Sequence, residues 1–120
     1  MAAPNIVNVS SIYGKTIGAS LSTTTTTDIL ECPSNRVLKV NSIIVANVNG
    51  TSSADATVYY WDSTNTTRYA LAYTIAVPAD TTLVVVSKDS AIYLEEGDQI
   101  EAGSSSSSSL NIVISYEEIG

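Results

Sequence analysis

The sequence contains no histidine, the side chain that most often serves as a general base and as a ligand of transition metals. Its absence excludes Ser-His and Cys-His nucleophile pairs and argues against a zinc site. The six glycines are dispersed and form no glycine-rich phosphate-binding loop. The sequence therefore predicts a protein that is not an enzyme and needs no cofactor.

Cysteine occurs only once, so the chain cannot form an internal disulfide bond. Cys32 stands beside Pro33 at the end of an apolar segment. This position is typical of a small buried hydrophobic residue. A reactive thiol is the alternative interpretation.

Basic residues are also scarce. Five lysines and arginines stand against twelve acidic residues, which gives a net charge of −7 and an isoelectric point near 4.1. An acidic chain with scattered basic residues repels phosphate backbones, so no nucleic-acid partner is expected.

Long apolar runs are missing, and no segment approaches the roughly 20 residues of a membrane span. The opening Met1-Ala2-Ala3-Pro4-Asn5 has neither the cationic lead nor the apolar core of a secretory signal. We therefore expect no membrane partner, and synthesis and assembly in the cytoplasm.

What the sequence does contain is alternation of apolar and polar residues. At the C-terminal end, Leu110, Ile112 and Ile114 alternate with polar or smaller residues, which is the period of a half-buried strand. The predicted strands are Ile6–Val9, Ile12–Leu21, Asp28–Cys32, Arg36–Val48, Thr57–Asp62, Thr67–Val77, Thr81–Lys88, Ala91–Leu94, Gln99–Ala102 and Leu110–Glu117.

Turn-forming residues separate these strands, and no segment shows a helical periodicity. Many short strands joined by turns indicate an antiparallel sandwich or a small barrel. We predict an all-β fold, a jelly-roll-like antiparallel β-sandwich. Residues 1–120 form one domain in this prediction, with an extended N-terminal segment at about residues 1–10.

Two predicted strands are apolar on both faces. Ile43 and Val45 interrupt the polar face of one strand, and Val84 and Val86 do the same in another. Since only one face of a sheet meets the core of a two-layer domain, we expect these four residues to pack against other subunits. Cover by a loop of the same chain is the alternative.

The predicted strand Thr67–Val77 places large residues on one face and small residues on the other. Tyr69, Leu71, Tyr73, Ile75 and Val77 share the first face, and Arg68, Ala70, Ala72, Thr74 and Ala76 share the second. The small face predicts close approach of a second sheet or of a neighbouring subunit, and a solvent face is the alternative.

Tyr59 and Trp61 lie on the same face of one strand because side chains alternate. Two rings on one face of a jelly roll are able to stack on sugars, which predicts a possible carbohydrate-binding site. The favoured interpretation, however, places Trp61 at one end of the core and Tyr59 at a subunit interface, and sugar stacking is the alternative to it.

The turn around Glu95, Glu96 and Asp98 is acidic. Oxygen ligands suit calcium, so Glu95, Asp98 and Glu101 form a possible weak metal site. Their spacing matches no defined calcium loop, and adjacent acids at the rim of a sheet are commonly solvated. We expect no metal here, and we expect Gly97 to supply the positive φ of the turn.

Three groups of motifs remain to be considered. They are Ala2-Ala3-Pro4-Asn5-Ile6-Val7-Asn8-Val9 with Gly14-Lys15-Thr16, then Val77-Pro78-Ala79-Asp80-Thr81-Thr82-Leu83-Val84 with Ser87-Lys88-Asp89, and finally Ile92-Tyr93-Leu94-Glu95-Glu96-Gly97-Asp98 with Ser115-Tyr116-Glu117-Glu118-Ile119. Together these motifs resemble small virion proteins of tailed bacteriophages, particularly those of marine bacteria and cyanobacteria.

This resemblance implies a structural part of the virion. A capsid decoration or cement protein is the first expectation: a homo-oligomer, with a trimer favoured, that binds the major capsid protein on the outer capsid surface. Neck, tail and fibre-associated roles are the alternatives. In such an assembly, residues 2–9 would add a strand to an adjacent chain.

Overall fold

The computed structural model describes residues 11–120 of the chain. The predicted N-terminal segment and the predicted strand Ile6–Val9 lie outside these residues. Within them the strands are β1 (Ile12–Ser20), β2 (Thr27–Glu31), β3 (Val37–Asn47), β4 (Ala54–Asp62), β5 (Thr67–Val77), β6 (Thr82–Val86), β7 (Ile92–Leu94), β8 (Gln99–Ser104) and β9 (Leu110–Ile119). A single 3₁₀ turn, Lys88–Ser90, joins β6 to β7 in the described range.

The strands form two antiparallel sheets. The first sheet has the order β1-β9-β3-β6, with β7 also paired to β3, and the second has the order β2-β8-β4-β5. Successive strands repeatedly cross between the sheets, which is the connectivity of a jelly roll made from two Greek keys. The predicted fold class is therefore confirmed.

Three of the turns contain a residue that tolerates left-handed backbone. Asn35 and Asp80 have φ values of 62° and 61°, and Gly97 has a φ of 86°. Asparagine, aspartate and glycine adopt this region more readily than other residues. Each lies in a predicted turn, and the expected positive φ of Gly97 is confirmed.

The core lies between the inner faces of the two sheets. From the first sheet, Ile112 and Ile114 of β9 are fully buried, and from the second, Val58 of β4 and Ile100 of β8 are fully buried. Burial of such side chains contributes roughly 1.5–3 kcal/mol each. Cys32 is also buried, as predicted for a small hydrophobic residue.

A bulge in β3 corrects the prediction that this strand is apolar on both faces. Leu38 and Val40 point into the core, but the register against β9 shifts between Val40 and Ser42. An extra residue at a bulge reverses the side-chain alternation that follows it. Ile43 and Val45 therefore point inward and are fully buried.

A second bulge produces the same effect in β6. Ile43 pairs with Val86 and the next residue, Ile44, pairs with Val84, so β6 contains one extra residue between these pairs. Val86 is buried in the core, and Val84 lies on the outer face with 58% of its surface exposed. The prediction that Ile43, Val45 and Val86 need a partner subunit for cover is therefore wrong.

Irregular pairing also divides the predicted alanine face of β5. The register against β4 shifts between Ala56 and Val58 and again between Val58 and Tyr59. As a result, Ala72 pairs with Val58 and is buried in the core, whereas Ala70 pairs with Tyr59 and is exposed on the outer face. The prediction of a continuous small face is therefore wrong.

Candidate interaction surfaces

The acidic turn before β8 is organised around a buried carboxylate. Asp98 accepts hydrogen bonds from the backbone N–H groups of Glu95 and Ser63, both at 3.0 Å. It also accepts hydrogen bonds from the hydroxyls of Ser63 at 3.1 Å and Tyr60 at 3.2 Å. Four donors satisfy both carboxylate oxygens, so Asp98 stabilises the turn.

The possible metal site does not form in the described residues. Glu101 forms an ion pair with Arg68, while Glu95 is exposed. No group of three or more potential metal ligands occurs within residues 11–120. The structure therefore does not bring Glu95, Asp98 and Glu101 together as ligands.

Cys32 is poorly suited to act as a nucleophile. Its thiol donates a hydrogen bond to the carbonyl oxygen of Arg36 at 3.2 Å. Burial raises the pKa of Cys32 to about 11, and the nearby carboxylate of Asp98 adds to the effect. Since the thiolate is the reactive form, the environment of Cys32 favours the structural interpretation.

One candidate surface is the outer face of the second sheet, where Tyr59, Trp61 and Tyr73 form what we call the aromatic row. The predicted placement of Tyr59 and Trp61 on one face is confirmed by their pairing with Glu101 and Gln99. Tyr73 joins them because the irregular pairing of β5 turns it outward. The Tyr59 and Tyr73 ring centroids are 6.5 Å apart.

An arginine lies over part of this aromatic row. The Arg68 guanidinium carbon is 4.9 Å from the Trp61 ring and 5.7 Å from the Tyr59 ring. The same guanidinium donates from Nε and Nη2 to the two carboxylate oxygens of Glu101, which is almost fully buried. The ion pair and the cation–π contacts together fix Arg68 on the rings.

The ring geometry bears on the predicted sugar site. Arg68 occupies the positions over Tyr59 and Trp61, and the planes of Tyr59 and Tyr73 are inclined by 55°. Sugar stacking at Tyr59 and Trp61 stays a prediction, and it requires displacement of Arg68 from at least one ring.

A second candidate surface lies at the open side of the sandwich, between β5 of one sheet and β7 of the other. Tyr60, Leu71, Ile92 and Tyr93 line an apolar cavity of about 200 Å³. Tyr69 stacks on Tyr60 with a centroid distance of 6.3 Å. We call these five residues the edge strip.

The edge strip is partly exposed. Tyr69 and Tyr93 leave 52% and 50% of their surfaces exposed, whereas Leu71 and Ile92 are half-buried against the core. The predicted interface residue Val84 is exposed elsewhere, on the outer face of the first sheet. Tyr93 is not among the interface residues predicted from the sequence, although a tyrosine between Ile92 and Leu94 on a short strand is a signal of an exposed ring.

Comparison with known proteins does not place the chain in a family. No protein-family model matches the sequence, and no curated protein is significantly similar to it. In the described part of the chain, no helix is long and apolar enough to cross a lipid bilayer.

Proposed function

We propose that this protein is a non-catalytic structural component of a tailed-bacteriophage particle. In this proposal it is a decoration or cement protein that forms a homo-oligomer, with a trimer favoured, and binds the major capsid protein on the outer capsid surface. The motif resemblance supports the proposal. Fold-level analogy gives weaker support, since jelly rolls occur in viral capsid proteins and in proteins with other functions.

The observation that carries the proposal is the edge strip. Large exposed aromatic residues beside an apolar cavity are typical of surfaces that contact another protein. The rings of Tyr69 and Tyr93 stand at this side of the sandwich with about half of their surfaces accessible. Burial of these rings between identical subunits would stabilise an oligomer.

The ion pairs and hydrogen bonds of three acidic residues also support a structural role. Glu118 forms ion pairs with Lys15 and Arg36, at 3.1 and 3.6 Å. Glu101 is engaged by Arg68, and Asp98 is saturated with hydrogen bonds. Carboxylates engaged in this way stabilise the fold.

Native mass spectrometry of the full chain at micromolar concentration tests the proposal. We expect a homo-oligomer, and we expect Tyr93→Ser to shift the distribution towards monomer because it removes an exposed ring of the edge strip. Tyr13→Ser is the matched control, since Tyr13 is 58% exposed on β1 of the first sheet. A protein that is monomeric throughout this range would contradict the proposal.

The position in the particle requires a separate experiment. Electron microscopy of intact particles with this protein labelled distinguishes a location on the capsid from a location at the neck, the tail or a fibre. Density on the outer capsid surface is expected. Density only at the neck or tail would favour the alternative structural roles.

A further inference from the structure

The aromatic row lies beside an acidic edge on the outer face of the second sheet. In the pairing of β2 with β8, Asp28 stands opposite Glu101 and Glu31 stands opposite Gln99. In the pairing of β8 with β4, the same Glu101 stands opposite Tyr59. Carboxylates and rings are therefore neighbours across three adjacent strands.

The negative charge of this edge is only partly neutralised. Arg68 pairs with Glu101, but no ion pair involves Asp28 or Glu31 among residues 11–120. Glu31 accepts one hydrogen bond from Gln99 Nε2 at 3.2 Å. Partial burial raises the pKa of Asp28, and the carboxylates of Glu31 and Glu101 raise it further. A bound cation would relieve this repulsion.

Arg68 of the chain itself is already bound on this face, which indicates that a guanidinium is the kind of cation that suits it. The Arg68 guanidinium combines a bidentate contact to a buried carboxylate with positions over two aromatic rings. Arginine is favoured at such sites because its planar group pairs with carboxylates and stacks on rings. Tyr73 is 63% exposed next to Tyr59, so a ring remains accessible to a second guanidinium.

We propose that this face docks a protein partner that presents arginine side chains, which pair with Asp28 and Glu31 and contact the exposed ring of Tyr73. Charge complementarity favours this occupant. Asp28 and Glu31 lie on β2 at one edge of the sheet and Tyr73 lies on β5 at the other edge, so a partner with several arginines is able to contact both carboxylates and the ring. If the protein decorates a particle as proposed above, this is the face that binds the shell. A sugar is the less favoured occupant because the rings provide no common flat platform.

A hexa-arginine peptide titrated into the full chain tests this proposal. Trp61 is the only tryptophan, so its fluorescence reports events at the aromatic row. We expect a saturable change whose midpoint moves to higher peptide concentration as salt is added. Asp28→Asn with Glu31→Gln, and separately Tyr73→Ala, should each weaken binding about fivefold, since contacts of this kind contribute modest energies.

The control is Asp80→Asn with Asp89→Asn, which removes the same charge at exposed positions before and after β6. Asparagine tolerates the positive φ of Asp80. Unchanged peptide affinity in this control supports the proposal. Equal weakening in both double variants would overturn it, since attraction to net charge alone would then explain the binding.

Two other outcomes would also overturn the proposal. One is the absence of saturable peptide binding at low salt. The other is saturation by a neutral oligosaccharide, such as laminarihexaose, without saturation by the peptide. Circular dichroism checks that each variant is folded. Native mass spectrometry reports self-association independently, so failure of arginine docking is distinguishable from failure of the proposed oligomer.

Discussion

Asp98 and Ser63 are separated by 35 residues in sequence, yet they are joined by two hydrogen bonds. Asp98 Oδ1 accepts one from the backbone N–H of Ser63 at 3.0 Å and another from its hydroxyl at 3.1 Å. These bonds connect the turn before β8 to the turn between β4 and β5. Asp98 thus stabilises the contact between two turns, although its acidic neighbours suggested a solvated rim.

Replacement of Asp98 should destabilise the fold. Asp98→Ala leaves the four hydrogen-bond donors around this buried side chain without their carboxylate partner. We expect a loss of about 2–4 kcal/mol in the free energy of unfolding. Urea denaturation measures this change. Asp89→Ala, at an exposed position in the 3₁₀ turn Lys88–Ser90, where no residue is buried, should alter stability by less than about 0.5 kcal/mol. Similar values for the two variants would contradict the role assigned to Asp98.

The bulge in β3 predicts opposite results for adjacent isoleucines. Ile43→Ala removes a fully buried side chain and should cost about 2–4 kcal/mol. Ile44→Ala, on the half-buried outer face, should cost about 1 kcal/mol or less. Chemical denaturation of the two variants compares them directly. A larger loss for Ile44→Ala would show that Ile44, and not Ile43, points into the core.

A buried glycine, Gly103, and an exposed glycine, Gly14, provide a matched pair of substitutions. A Cβ at Gly103 would lie 2.4 Å from the Thr25 Cα, so the loop before β2 would have to move. A Cβ at Gly14 would meet no atom within 4 Å. We expect Gly103→Ala to lower the melting temperature by about 8 °C or more and Gly14→Ala to change it little. Equal melting temperatures would show that the loop containing Thr25 moves away from the added methyl group without a loss of stability.

The strands could be predicted from sequence because half-buried strands alternate apolar and polar residues. Ile112 and Ile114 are examples, and both are buried as alternation requires. The sheet face to which side chains point beyond a bulge could not be predicted. A single extra residue moves all the side chains after it to the opposite face, and no particular residue type marks the bulge in the sequence. For this reason Ile43 and Val45 suggested an interface although they belong to the core.

The aromatic row could be predicted only in part. Tyr59 and Trp61 are two residues apart on one strand, so alternation places them on one face. Arg68 and Glu101 reach the rings from two neighbouring strands, and the order of strands in a sheet is not readable from one sequence. Alternation groups Tyr73 with Tyr69 and Leu71, and the irregular pairing of β5, which separates Tyr73 from them, has no signal in the sequence.

Alkaline pH should weaken the fold partly through Tyr60. Burial, followed by the charge of Asp98, raises the pKa of Tyr60 from 10.0 to about 12. Below pH 10 both the folded and the unfolded chain keep this proton, so the contribution to stability is fully present. Between about pH 10 and 12 the unfolded chain releases the proton first, and the free energy of unfolding should fall by about 1–2 kcal/mol.

Tyr60→Phe isolates this contribution. The variant loses the hydrogen bond to Asp98 at every pH, but it should show a smaller further loss of stability between pH 10 and 12 than the unchanged protein. Cys32 is retained in both proteins, and its raised pKa affects them equally. Urea denaturation at pH 8, 10 and 11.5 measures the difference. Parallel losses in the two proteins would mean that Tyr60 ionises as readily in the folded chain as in the unfolded one, and that the Asp98 contact does not hold its proton.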